Sequence, residues 1–194
     1  MSDLKNILFS GVGGQGILLA SELTAASLLS AGYDVKKSEV HGMAQRGGSV
    51  TAQLRYGTKV YSPLIEPGCA DIQMAFEEME AVRYLPYLHQ GSIVIVNTQH
   101  ILPPSVATGQ ATYPENVLDE LVKRNIQVIA VDAFSIAREA GEVRTANVAL
   151  VGALSVHLPV DEAVFEEIIE ARVPERFRAE NMKAFAAGRE AGNQ

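Results

Sequence analysis

The chain has no tryptophan and only one cysteine, Cys69, among its 194 residues. One thiol excludes an intramolecular disulfide framework. It also excludes an iron–sulfur cluster ligated by this chain alone, since such clusters are normally held by several thiolates. Cys69 follows Pro67-Gly68 and is expected to be a small buried residue, not a reactive thiol. Aromatic residues make up 6% of the chain, so the core is expected to be aliphatic, as in parallel sheets. Cations are in deficit: 16 Lys and Arg against 23 Asp and Glu leave a net charge of -7. Binding a phosphate backbone needs a basic footprint, which excludes nucleic acid as a partner. The carboxylates are spread along the chain and serve solubility. No apolar run approaches the roughly 20 residues that cross a bilayer. The apolar part of the opening MSDLKNILFSG is too short for a signal-peptide core. A cytoplasmic location with no membrane partner is therefore expected.

What is present is enough apolar material, 47% of residues, to bury a substantial core in one domain spanning 1–194. Apolar periodicity predicts a buried strand over 5–10, a helix over 17–30 stopped by Gly32, and a strand over 34–40. Alternation over 49–56 and 59–64, with Gly57-Thr58 as the turn, predicts an inserted hairpin. Strands are expected at 70–76, 92–97 and 127–131. Helices are expected at 77–89, 115–124, 132–141, 147–157, 161–171 and 175–188, with a loop over 98–114. Helices from about 161 onward are expected to pack on the same domain. The alternation of strand and helix argues an α/β, Rossmann-like, mostly parallel doubly wound sheet.

Two glycine-rich loops carry whatever chemistry the chain has. Gly11-Val-Gly13-Gly14-Gln15-Gly16 fits a dinucleotide fingerprint, lying between a strand and a helix as that fingerprint requires. In that reading Gly11 permits a tight turn and Gly13 lets backbone approach a diphosphate. Gly16 lets helix pack on strand, and helix-start amides face the anion. Glu39 lies at a tolerable distance for holding a ribose, although Lys36 and Lys37 precede it. Three readings remain open here: a nicotinamide or flavin nucleotide, a mere strand-to-helix turn, or a non-redox phosphate ligand or partner subunit.

The second loop runs His41-Gly42-Met43-Ala44-Gln45-Arg46-Gly47-Gly48. Gly47 and Gly48 leave the Arg46 guanidinium room to reach a phosphate or carboxylate, and Gln45 adds an amide. The alternative is a solvent-facing approach to the hairpin with an incidental arginine. Both loops would meet at the carboxyl ends of the strands, where open α/β folds bind ligands. His41 lacks a nearby nucleophile in any recognisable motif, which favours a structural or interfacial role over a general base. His89, His100 and His157 have no metal-ligand spacing, so no metal site is expected. Asp132 reads as a helix N-cap in preference to a ligand contact, and Asp161 as a helix N-cap. No residue is expected to be catalytic.

Together, Gly11-Val-Gly-Gly-Gln-Gly16 and Ser38-Glu-Val-His-Gly-Met-Ala-Gln-Arg-Gly-Gly-Ser-Val50 resemble the gamma-type domain of the 2-oxoacid:ferredoxin oxidoreductases, over essentially the whole chain. The second loop is most similar to the indolepyruvate branch; pyruvate, 2-oxoisovalerate and 2-oxoglutarate relatives carry similar loops. The resemblance implies oxidative decarboxylation of a 2-oxoacid to an acyl-CoA with reduction of ferredoxin. Thiamine diphosphate and iron–sulfur clusters supply the electron chemistry in that family. This chain has neither a thiamine-type Gly-Asp-Gly motif followed by a metal-binding Asn nor a cysteine cluster. The resemblance therefore implies that a larger alpha-type partner holds both, and that this chain is inactive alone. Coenzyme A would be the co-substrate received near the two loops, with Gly11, Gly13, Gly14, Gln15, Gly16, His41, Gln45, Arg46, Gly47 and Gly48 as candidate contacts. Arg46 would be the leading phosphate contact.

Overall fold

The computed structural model describes residues 4–41, 48–102 and 104–193. The candidates Gln45, Arg46 and Gly47 lie outside the described residues, and so does the side chain of His41.

The first strand, β1 (Lys5–Val12), is apolar on both faces and buried from Ile7 to Gly11. The glycine loop follows, and then α1 (Ile17–Ser30), which stops where Gly32 turns left-handed at φ 91°. Next come β2 (Asp34–His41), β3 (Ser49–Gly57) and β4 (Ala70–Ala75). They are followed by α2 (Glu78–Arg83), β5 (Leu88–Asn97), the single turns α3 (Pro104–Ala107) and α4 (Asp119–Val122), and β6 (Gln127–Val131). Four helices close the chain: α5 (Ala133–Ala140), α6 (Ala146–Ser155), α7 (Glu162–Arg172) and α8 (Arg178–Gly192).

The strands form one sheet in the order β2-β3-β1-β4-β5-β6. Only β3 opposes the common direction: it is antiparallel to both β2 and β1, while β1, β4, β5 and β6 pair in parallel. The expected α/β architecture is present, but the hairpin is built differently from the sequence expectation. Residues 59–64 form no strand, and β3 pairs instead with β2, Asp34 opposite Gly57 and His41 opposite Val50. The 58–69 segment lies against the sheet through the Arg55 guanidinium. That group donates to the carbonyls of Ser62 and Leu64, while Gln53 Oε1 accepts from the Ile65 amide. Cys69, at the end of this segment, is exposed and not buried: Gly68 turns the chain at φ 76° immediately before β4 begins.

Other boundaries move for local reasons. The helix expected over 77–89 ends at Arg83, because Pro86 enters a 3-10 turn and β5 already starts at Leu88. The helix expected over 115–124 shrinks to α4, since Asn116 adopts φ 54° and a turn occupies its first half. Asp132 caps α5 as expected, accepting from the Ser135 amide at 3.0 Å. Asp161 occupies the N-cap position of α7, but its side chain makes no capping bond.

Two apolar layers sandwich the sheet. Ile7, Phe9, Leu54, Met74 and Ile95 meet Leu23, Leu28, Val151, Phe165 and Phe185 from α1, α6, α7 and α8. On the opposite face Leu8, Val94 and Val96 meet Ala81, Leu121 and Ile126. Helix α6 is buried from Asn147 to Ser155, consistent with its being apolar all round.

Candidate functional site

Because all strands but β3 run one way, the ends of β1, β4, β5 and β6 meet at a single edge, and β3 begins there. Val12 pairs with Ser49, so the first glycine loop abuts the last residue of the second. The Gly13 amide donates to the Gly48 carbonyl at 2.9 Å. The two loops therefore do converge, and a main-chain bond joins them.

Gln15 organises the first loop. Its Oε1 accepts from the Val12 amide and its Nε2 donates to the Phe76 carbonyl, both at 2.7 Å. The same Phe76 carbonyl accepts from Asn97 Nδ2 at 3.2 Å, and Asn97 Oδ1 accepts from the Ala133 amide. Side-chain amides thus tie the ends of β1, β4 and β5 to the start of α5. The glycines divide the work differently from the fingerprint reading. Gly11 is a close-contact position: a Cβ there would stand 2.8 Å from Phe76 Cβ and 2.9 Å from Ile17 Cδ1. The left-handed positions are Gly14, φ 105°, and Gly16, φ 80°. Gly16 abuts Asn147 on α6, with no room for a Cβ; the close contact is helix against helix, not helix against strand.

The amides are also allocated. Those of Val12, Gly13 and Gln15 are engaged within the loop or with Gly48. The amides of Gly14, Gly16 and Ile17 have no hydrogen-bond acceptor among the described residues. They stand at the positive end of α1, an arrangement that receives anions. A Cβ on Gly14 would meet nothing within 4 Å, so this face of the loop is open.

It opens into a cavity of about 550 Å³, a volume suited to a small-molecule ligand. Gly13, Gly14, Gln15 and Gly16 line it. Phe76, Asn97, Gln99 and Ile101 line it as well. Phe134, Val143, Arg144, Ala146, Asn147 and Leu150 supply the rest. Among the described lining residues Arg144 carries the only charge. Of the sequence candidates, the cavity gathers Gly13, Gly14, Gln15 and Gly16; Gly48 braces the loop from behind, and Gly11 is interior. Asn97, Phe134, Arg144 and Asn147 were not singled out as site residues. Each follows or opens an element at the same sheet edge, which only the topology reveals.

The chain that lends Gln99 and Ile101 to the cavity is fastened to the start of α2. Glu77, 1% exposed, accepts from the Tyr113 hydroxyl at 2.5 Å and from the Ile101 amide at 3.4 Å. Burial and the Glu77 carboxylate push the Tyr113 phenol well above its ordinary range. The His100 ring stacks on Tyr113, and His100 Nε2 lies 3.0 Å from Glu78 Oε2.

Glu39 is not placed to hold a ribose as in a nicotinamide enzyme. It lies near the end of β2, which β3 separates from β1, and it pairs with Lys37 at 2.5 Å. The chain's donor set does not suit a metal cluster either. Its one thiol is exposed, and no group of three His, Cys, Asp or Glu among the described residues is arranged to hold an ion. No helix among the described residues is long and apolar enough to cross a membrane.

A strand-loop-helix cradle of this kind, with an antiparallel strand inserted beside β1, defines a class. Residues 6–191 match the model of the pyruvate ferredoxin/flavodoxin oxidoreductase family, and the chain belongs to that family. Within it, the chain is 43% identical to the indolepyruvate oxidoreductase subunit IorB of Thermococcus kodakarensis, covering 97% of this chain and 96% of the relative. It is 44% identical to the subunit of the same name from Pyrococcus horikoshii, with the same coverage. Among solved structures, the gamma subunit of a keto/oxoacid ferredoxin oxidoreductase from Geobacter sulfurreducens superposes with a TM-score of 0.72 at 25% identity, covering 97% and 98% of the two chains. A 2-oxoglutarate:ferredoxin oxidoreductase from Magnetococcus marinus, solved with 2-oxoglutarate, coenzyme A and succinyl-CoA bound, shares the fold with a TM-score of 0.78 at 20% identity. It matches all of this chain but 32% of its own, so there the domain is one part of a longer polypeptide.

Proposed function

We propose that this chain is the small, gamma-type subunit of a 2-oxoacid:ferredoxin oxidoreductase acting on indolepyruvate or another aryl-pyruvate, and that it receives coenzyme A. The observation that carries the reading is the cradle itself. It pairs open amides at the start of α1 with a cavity of nucleotide-ligand size. The likeness to the indolepyruvate subunits over nearly the full length of both proteins favours the aryl substrate over pyruvate or 2-oxoglutarate. Thiamine diphosphate and the iron–sulfur clusters belong on a larger partner, because the donor set here does not fit them. When bound there, they supply decarboxylation and electron transfer to ferredoxin.

This chain's own residues bind and orient. Gly14, Gly16 and Ile17 offer amides to an anionic group. Gln15 and Asn97 hold the sheet edge in shape, and Phe76, Ile101 and Phe134 give the ligand apolar surfaces. Arg46, Gln45, Gly47 and His41 complete the reading as contacts from the second loop, and its test includes them.

The experiment is co-expression with the larger subunit. A complex active on indolepyruvate and dependent on both chains is expected, with each chain inactive alone; activity of this chain by itself would refute the reading. Gly14→Ala tests the cradle. An alanine at φ 105° is strained by about 1–3 kcal/mol, and its methyl projects toward the ligand. KM for coenzyme A should rise several-fold. An unchanged KM in both Gly14→Ala and Arg46→Ala complexes would remove coenzyme A from this site.

A further inference from the structure

We infer that Glu80 is a positioning residue of this site: through Ser49 it fixes the exit of the second glycine loop, and so holds the first loop in the shape that presents its open amides to coenzyme A. The inference rests on the coenzyme A reading above and deepens it.

Glu80 stands on α2 and is only 4% exposed, yet it carries a carboxylate. A buried carboxylate is costly unless its oxygens are bonded, and here both are. Arg83 Nε donates to Oε1 at 2.8 Å, and the Ser49 hydroxyl donates to Oε2 at 2.6 Å. A serine hydroxyl has one hydrogen, and Glu80 takes it. The Tyr84 hydroxyl, 3.0 Å from Ser49 Oγ, is therefore the donor in its own bond with Ser49. Main-chain bonds fix the post from which the carboxylate reaches. The Glu80 carbonyl accepts from Ser10 Oγ on β1 and Gln73 Nε2 on β4, at 3.3 and 3.2 Å, and its amide donates to Glu77.

Ser49 directly follows the second glycine loop and opens β3. Its pairing with Val12 is the last rung of the β1–β3 ladder, the place where a strand pair frays most easily. A side-chain bond to a fixed buried carboxylate pins that rung. The preceding carbonyl, that of Gly48, accepts from the Gly13 amide at 2.9 Å. Gly13 lines the cavity and leads into Gly14, whose amide is open. Glu80, Ser49 and Tyr84 do not themselves line the cavity. A substitution among them reaches the ligand through the loops.

Kinetics of the assembled complex test this link. Ser49→Ala removes the hydroxyl and Ser49→Thr keeps it. Glu80→Met keeps the side-chain length and removes both acceptors, while Arg83, its side chain 53% exposed, stays hydrated. Ser49→Ala and Glu80→Met should each raise KM for coenzyme A by about three- to tenfold, the scale of one hydrogen bond, with kcat within about twofold of native. Ser49→Thr should keep KM near its native value. The double variant should rise little beyond the larger single one, because both changes break the same link. A merely structural role predicts a lower Tm with KM unchanged. That result would overturn the assignment, and so would full multiplication of the two effects. Gel filtration checks assembly; if Glu80→Met fails to assemble, Ser49→Ala against Ser49→Thr decides alone. If Gly14→Ala raises KM while Ser49→Ala does not, the coenzyme A site stands and only the role of Glu80 falls. If Gly14→Ala and Arg46→Ala also leave KM unchanged, the coenzyme A reading falls with it.

Discussion

At the scale of single residues, Gln15 shows what a glycine fingerprint conceals. The pattern attracts attention through its glycines, yet its amide side chain joins β1 to β4 through two bonds of 2.7 Å. The glycine spacing was legible in the sequence, but the roles of its members were not. Gly11 and Gly16 are fixed by what lies across from them, Phe76 and Asn147, far along the chain. Arg144 escaped for the same reason, since only the fold brings it to the cavity. A titration prediction also belongs at this scale. Tyr56 is 5% exposed, and burial, with Asp71 and Tyr33 nearby, pushes its phenol up to about 12. In the unfolded chain a tyrosine ionises near 10. The neutral phenol is thus favoured by folding, and its contribution is intact below about pH 10. That contribution is lost as pH rises from 10 to 12. Urea midpoints measured across this interval should fall more steeply for the native chain than for Tyr56→Phe, and identical slopes would contradict the assignment.

Among the elements, helices and buried strands were readable where the apolar period was long, as in α1, β5 and α6. The hairpin was misread because 59–64 alternates like a strand. The actual partners of β3 are β1 and β2, and the second glycine loop separates β2 from it in the sequence. Register across such a loop follows from which strand edge is free, and periodicity carries no information about that. The contact between α6 and α8 was also invisible from the pattern. Gly152, Gly188 and Gly192 each lie against the backbone of the opposite helix, at Phe185, Ala149 and Ala153. A methyl at Gly188 would overlap the Ala149 carbonyl, so the helices must separate to admit it. Gly188→Ala should therefore lower stability by about 2–3 kcal/mol despite its better helix propensity. In a chain of this size that is a fall of roughly 5–10 °C in Tm by calorimetry. A stabilised Gly188→Ala would show that the two helices are not held this close in solution.

For the whole molecule, the common strand direction decides where chemistry is possible. It collects the glycine loop, Phe76, Asn97 and the starts of α5 and α6 at one edge, and covers both sheet faces with apolar layers. The cavity at that edge holds amides, amide side chains, apolar surfaces and one guanidinium. Its described lining residues include no carboxylate, histidine or thiol. If the 2-oxoacid is recognised on the larger subunit, the two substrates are governed by different chains. In the assembled complex, Gly14→Ala should raise KM for coenzyme A while KM for indolepyruvate stays within about twofold of its native value, because uniform binding energy is lost for one ligand alone. Steady-state kinetics with each substrate varied in turn separates the effects. A parallel rise in KM for indolepyruvate would mean that this edge also shapes the oxoacid pocket, and that the division of labour between the subunits is incomplete.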